Sequence, residues 1–177
     1  KNPFGKKGDF ITSPHISVLF SEMIAIWIIS FWENLKCPKE FNLVELGSGD
    51  GEMLKQIIKT FDSFPLFKTC CKFNILEKST YLKKIQRQKL KNVKVKWLNN
   101  LDQISDLPSI FIANEFFDAL PVKQFLKKNK KWHEKHIEFL KNGKKKIIDV
   151  NVDITKIKKN IGIKLSYRQS LIEYAPL

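Results

Sequence analysis

The stretch Asn42–Leu54, "NLVELGSGDGEML", decides the fold. An apolar run ends in the acid Glu45, glycines follow at positions 47, 49 and 51, and an amphipathic segment begins directly after them. "FNLVEL" (41–46) reads as a short core strand. Met53, Leu54, Ile57, Ile58 and Phe61 then fall at helical spacing on one stripe, with lysines and Gln56 between them. A glycine turn between a first strand and its helix lets the backbone bend tightly, and lets a ligand lie against N–H groups at a helix N-terminus.

Outward from this turn, strands and helices alternate. "KFNILE" (72–77) is a second short strand ending in Glu77, and Ser79 is placed to cap a helix carrying Leu82, Ile85 and Leu90. "NVKVKWL" (92–98) alternates as a third strand, and "SIFIANEFFDALP" (109–121) supplies a fourth that ends near Asn114. "FDSFPLFKTCC" (61–71) reads as a long connection between the first helix and the second strand. This rhythm predicts an α/β fold, a Rossmann-like parallel sheet with right-handed crossovers. Upstream, Lys1–Pro14 reads as a loop needing special backbone angles at Gly5 and Gly8. The apolar run Ile16–Trp32 follows as a buried helix, too short and too interrupted by Ser21 and Glu22 to cross a bilayer. Downstream of Pro121, two alternating runs flank Asn142-Gly143 and predict a β-hairpin appendage, with Ile148, Val150, Val152 and Ile154 on the side that rests on the core. The expected organisation is an N-terminal loop and helix over 1–40, a ligand-binding core over 41–125 and an appendage over 126–177. The chain opens on Lys1 and closes on "IEYAPL", so it reads as a piece of something longer, incomplete at both ends.

The formal net charge is +14, yet of 32 basic residues only Arg87 and Arg168 are arginine. Dedicated nucleic-acid binders lean on arginine for bidentate contacts, so nucleic acid is not the expected partner and the lysines read as a solvated face. Three cysteines without a CxxC pair argue against a zinc site or a disulfide framework. "HEKH" (133–136) on an alternating strand places its two histidines on opposite faces, so no metal is expected.

The glycine spacing is GxGxG, unlike the GxGxxG of dinucleotide binders, and no Gly-Lys-Ser/Thr follows as in a phosphate-binding loop. Asp50 and Glu52 would repel a polyphosphate. A ligand with a cationic centre and an amino-acid head group suits such a turn, because a sulfonium and an ammonium tolerate Glu45 and Asp50. S-adenosylmethionine is such a ligand. Glu77, at the end of the second strand, is where a carboxylate accepts ribose hydroxyls in a doubly wound fold. The fourth strand end adds Asn114, Glu115 and Asp118 beside Phe116 and Phe117, carboxylates framed by aromatics that suit an amine-bearing substrate.

With these residues assembled, the chain resembles the MidA-like family of S-adenosylmethionine-dependent methyltransferases, which includes a mitochondrial complex I assembly factor that methylates protein arginine. The blocks "PFGKKGDFITSPHIS", "FSEMIAIWI", "LVELGSGDGEML", "ILEKSTYLKKIQRQKL", "NEFFDALPVKQF" and "KWHEKHI" carry the resemblance in family order. The resemblance implies a class I methyltransferase fold, a protein substrate such as a complex I subunit, and residence in a bacterial cytoplasm or a mitochondrial matrix. It implies that the turn Gly47, Ser48, Gly49 and Gly51 holds the methionine part, Glu77 the ribose, and Asn100 and Leu101 the adenine. The loop with Asp9, Thr12 and Ser13 would close over the cofactor, and Glu115, Asp118 and Asn114 would line the reaction site as catalytic residues. His15 stands where the family usually has Glu, Ser21 where it has Gly, and Asp50 where Arg is common. Asp50 would thereby oppose the cofactor carboxylate. The family continues to further strands, without which the fourth strand is an exposed parallel edge. The alternative readings are a noncatalytic assembly protein that retains the fold, and a nucleic-acid methyltransferase.

Overall fold

The computed structural model describes residues 11–153, 155 and 170–175. Gly5, Gly8, Asp9 and Ile154 lie outside the described residues. The chain forms two compact units, Lys1–Phe116 and Phe117–Leu177.

In the first unit, a short helix α1 (Ser13–Ile16), with Pro14 in its first turn, precedes the long α2 (Val18–Asn34). The alternation then runs β1 (Phe41–Leu46), α3 (Glu52–Phe61), α4 (Pro65–Cys70), β2 (Cys71–Leu76), α5 (Thr80–Lys89), β3 (Val95–Leu98), a 3-10 turn Leu101–Gln103, and β4 (Ser109–Ile112). The strands form a parallel sheet in the order β3-β2-β1-β4. The order reverses between β1 and β4, which opens a crevice at the C-terminal ends of those two strands. Among the described residues, β4 is an edge of this sheet.

β1 is buried at all six positions because both of its faces are covered. Phe41 and Leu43 join the larger core with Ala25, Ile28, Phe73, Ile75 and the α3 stripe Met53, Leu54, Ile57, Ile58 and Phe61. Val44 and Leu46 join a smaller cluster with Leu98 on the other face. Buried Asn42 is satisfied at the N-terminal end of the sheet. Its amide donates to Ser105 O at 3.0 Å and Ser109 Oγ at 3.1 Å, and its carbonyl oxygen accepts from Ser105 Oγ at 3.0 Å.

One sequence expectation needs correction here. α2 is not a buried helix: Ser21, Ala25 and Ile28 are fully buried, whereas Leu19 and Met23 are about 60% exposed (62% and 61%) and Trp27 is 50% exposed. Among the described residues, the helix packs on α3, with α1 and Phe67 of α4 also in contact, and its opposite side is left uncovered. Ser21 Oγ is buried on that packed side with no hydrogen-bond partner among the described residues. The long connection 61–71 is present as expected. It contains α4, opened by Pro65 in its first turn, where the missing N–H costs no helical bond. Among the described residues, no helix is long and apolar enough to cross a membrane.

The second unit is an antiparallel sheet in the order β7-β6-β5-β8, made of β5 (Lys123–Lys128), β6 (Lys131–Phe139), β7 (Lys145–Val152) and β8 (Leu171–Tyr174). The expected hairpin is β6–β7, turning at Gly143 with φ of 77°. A second hairpin joins β5 to β6 through Asn129 and Lys130, both at positive φ (49° and 62°), the signature of a tight two-residue turn that Asn-Lys does not announce. The apolar side of β7 is less covered than its alternation suggested: Ile148 and Val152 are half-buried and Val150 is 39% exposed. Phe125 and Ile172, paired across β5 and β8, are the buried apolar residues of this sheet among those described.

Candidate cofactor site

The glycine turn leaves β1 at Leu46 and is tied to the neighbouring strand by Gly47 N–H, which donates to Leu76 O at 3.1 Å. Gly47, Gly49 and Gly51 have φ of 66°, 54° and 82°, a left-handed conformation that glycine adopts without steric penalty. At Gly47 the requirement is double, since a Cβ would come within 2.4 Å of Phe116 Cδ2. Gly51 is the N-cap of α3, and its N–H closes the turn onto Ser48 O at 2.8 Å.

The charges around the turn are mostly internally paired. Glu45 is 2% exposed and accepts a hydrogen bond from the Ser48 hydroxyl. Burial pushes its pKa from 4.5 to about 7, against the Ser48 hydrogen bond and with help from the Asp50 charge. Burial acts on Asp50 in the same direction, but Lys89 Nζ at 2.8 Å and His15 Nε2 at 3.2 Å hold it below its ordinary value. Lys89 also reaches Glu52 at 2.6 Å. Asp50 is therefore not an unpaired charge facing a ligand carboxylate, which corrects the sequence expectation. His15 and Asp50, 35 positions apart in the chain, are hydrogen-bonded to each other. His15 in turn shares a 3.0 Å hydrogen bond with Thr12 Oγ1, and Gln56 donates to Pro14 O at 3.2 Å, so Thr12, Ser13 and the rest of α1 are fastened beside the turn.

Glu77 follows β2 directly. Its N–H donates to Leu98 O at 3.2 Å, its Oε1 accepts from Ser79 N–H at 2.8 Å, and its Oε2 accepts from Gln86 Nε2 at 3.3 Å. Ser79 caps α5 as expected, accepting from Leu82 N–H at 3.3 Å. Asn100 is the exposed N-cap of the 3-10 turn after β3, and Leu101 is 45% exposed. After β4, Asn114 is half-buried and Glu115 is exposed. Glu115 has φ of 53°, a left-handed conformation that costs a non-glycine residue about 1–2 kcal/mol. Asp118 belongs to the second unit, in an exposed 3-10 turn Phe117–Ala119.

The first unit thus gathers the turn residues, Thr12 and Ser13, Glu77, and the segment Asn114–Phe116 at the C-terminal side of one sheet. Sequence reasoning did not assign Gln86 or Lys89 to the site, and it named His15 without a partner. For Gln86 a signal existed: it sits on the apolar stripe of α5, four residues after Leu82 and four before Leu90, where a polar side chain must find partners.

Residues 23–174 match the family model described as "Putative S-adenosyl-L-methionine-dependent methyltransferase". The chain belongs to that family. Its members' resemblance extends to curated relatives. The human mitochondrial protein arginine methyltransferase NDUFAF7 is 33% identical over 162 residues, which cover 78% of this chain and 37% of the relative. The Drosophila melanogaster homologue is 33% identical over 158 residues, 76% of this chain and 36% of the relative. The chain therefore spans little more than a third of the length of these relatives. Among solved structures, a Burkholderia thailandensis protein crystallised with S-adenosyl-homocysteine superposes with a TM-score of 0.71 at 21% identity, covering 98% of this chain and 46% of that one. That likeness establishes the fold, the α/β arrangement of a class I methyltransferase.

Proposed function

We propose that the chain is the cofactor-binding part of an S-adenosylmethionine-dependent methyltransferase that modifies arginine in a protein substrate. The observation that carries the proposal is Glu77, a strand-end carboxylate held in place from two sides and hydrogen-bonded through Gln86 to the same glycine turn that bends into α3. A carboxylate has about four acceptor sites, so the two bonds Glu77 already accepts leave room for a pair of ribose hydroxyls. The residues fit the cofactor in charge as well, because Asp50 is ion-paired to Lys89 and hydrogen-bonded to His15, so it does not stand as an unpaired acid against a methionine carboxylate.

In this reading Gly47, Ser48, Gly49 and Gly51 line the methionine part, with Glu45 behind them, and Asn100 and Leu101 border the adenine. When bound, the cofactor supplies a methyl group on a sulfonium. The chain's own contribution is to position and to balance charge. Asn114 and Glu115 sit where the crevice rule places substrate contacts, and Glu115 is the first candidate to hold a guanidinium by paired hydrogen bonds. Asp118 is the second candidate for that role. The curated relatives are named as mitochondrial protein arginine methyltransferases, which supports a matrix enzyme in a eukaryote. A respiratory complex I subunit is the substrate that the family resemblance favours.

The test is calorimetric titration of the chain with S-adenosylmethionine, with Glu77→Ala as its control. Saturable binding that weakens at least about tenfold in the variant is expected, the loss of a charged hydrogen-bond pair. A folded wild-type chain that produces no binding heat would overturn the reading.

A further inference from the structure

Gln86 has no exposed surface, and every polar atom of its side chain is engaged. Trp97 Nε1, which can only donate, gives its proton to Gln86 Oε1 at 2.9 Å. That bond fixes which way the amide points. The NH2 group is forced toward two acceptors, donating one hydrogen to Gly49 O at 2.8 Å and the other to Glu77 Oε2 at 3.3 Å. One side chain on α5 therefore joins the glycine turn after β1, the carboxylate after β2 and the indole of β3. The indole is itself steadied by Arg87, whose guanidinium lies 5.2 Å from the ring centroid. α5 packs directly on the turn at Gly51, where the φ of 82° requires glycine and a Cβ would touch Gln86 Cγ at 3.4 Å, an ordinary contact.

We propose that Gln86 is a positioning residue for the cofactor ribose: it presets the Glu77 carboxylate and the Gly49 carbonyl in one arrangement, so that ligand hydroxyls meet an acceptor already aimed at them. The inference rests on the cofactor reading above. A carboxylate free to rotate loses affinity to the ordering it must undergo on binding, and a fixed one does not. Ser79 N–H restrains only Oε1 of Glu77, so Gln86 is the side-chain restraint on the other oxygen. Lys89, one turn further along α5, holds Asp50 and Glu52 in the same way, which makes the inner face of this helix the clamp of the turn.

The experiment measures the affinity of wild type, Gln86→Met, Glu77→Ala and the double variant for two ligands, S-adenosylhomocysteine and its 2′,3′-dideoxy analogue. Gln86→Met keeps the volume and removes both donors. It is expected to weaken S-adenosylhomocysteine by about tenfold or more, to leave the dideoxy analogue nearly unchanged, and to add little in the Glu77→Ala background. Equal losses for both ligands, additivity with Glu77→Ala, or unchanged affinity would each overturn the positioning role while leaving the cofactor reading intact. Wild type that binds neither ligand would remove the cofactor reading and this inference together. Should Gln86→Met fail to fold, the fallback is Trp97→Phe, which removes the N–H that orients the amide along with the five-membered ring of the indole, a packing loss that falls on both ligands alike. It is then expected to show the same ligand split, and no split would overturn the proposal.

Discussion

Glu45 occupies the most demanding position of any residue in the site, a carboxyl at the end of a fully buried strand. Burial raises its pKa from 4.5 to about 7. Between those values the folded chain holds a proton that the unfolded chain releases, so its contribution is fully present below about 4.5 and is lost as pH rises through about 7. Asp50 and Glu52 behave oppositely. Burial pushes both up, but the bonds to Lys89 win and hold both low, so their contributions are present at neutral pH and fade on acidification. Urea unfolding at about pH 5 and pH 8 separates the two behaviours. Glu45→Gln, which keeps an acceptor for Ser48, is expected to be more stable than wild type at pH 8 by up to about 3 kcal/mol, and to lose that advantage toward pH 5. A difference that does not vary with pH would show that Glu45 is not held neutral by burial.

Between elements, the aromatic side chain that does most to join helices to sheet is Phe67 of α4. Its ring meets Phe61 of α3 at 4.7 Å, Trp32 of α2 at 5.3 Å and Phe41 of β1 at 5.5 Å between centroids. α4 is only one and a half turns long and has no side-chain cap, so it is stabilised by this packing rather than by its own hydrogen bonds. Phe67→Ala is expected to cost about 3–5 kcal/mol in chemical unfolding, as large cavities in cores do. The neighbouring Leu66→Ala, at a residue 85% exposed, should change stability by no more than about 0.5 kcal/mol. Equal effects of the two would contradict α4 as a core element.

Across the whole molecule, the net charge of +14 is carried almost wholly by lysines, many of them exposed on both units. Lysines form single-point contacts that are screened by salt, and with two arginines in the chain bidentate base recognition has little to draw on. Binding to single-stranded RNA, duplex DNA and an unrelated polyanion is therefore expected to be weak, alike in strength, and lost together as salt rises. The readout is the slope of log affinity against log salt for each polymer. A markedly tighter, sequence-dependent interaction with one nucleic acid would favour a nucleic-acid substrate instead of a protein.

The sequence by itself determined β1, the glycine turn and the α3 stripe, because strand and helix periodicities and left-handed glycines are local properties written into Asn42–Phe61. It also determined Ser79 as a cap, Glu77 as a strand-end acid and the Gly143 hairpin. Only the tertiary structure decided that α2 is covered on one side, since an apolar helix carries no mark of how many neighbours it has. The same holds for α4, too short for a periodic signal, and for the pairing of Asp50 with His15 and Lys89, separated by 35 and 39 positions in the chain. The partners of Gln86 belong there too: its place on the α5 stripe says that it needs partners, but the three it finds come from three different strand ends that meet only when the parallel sheet has formed.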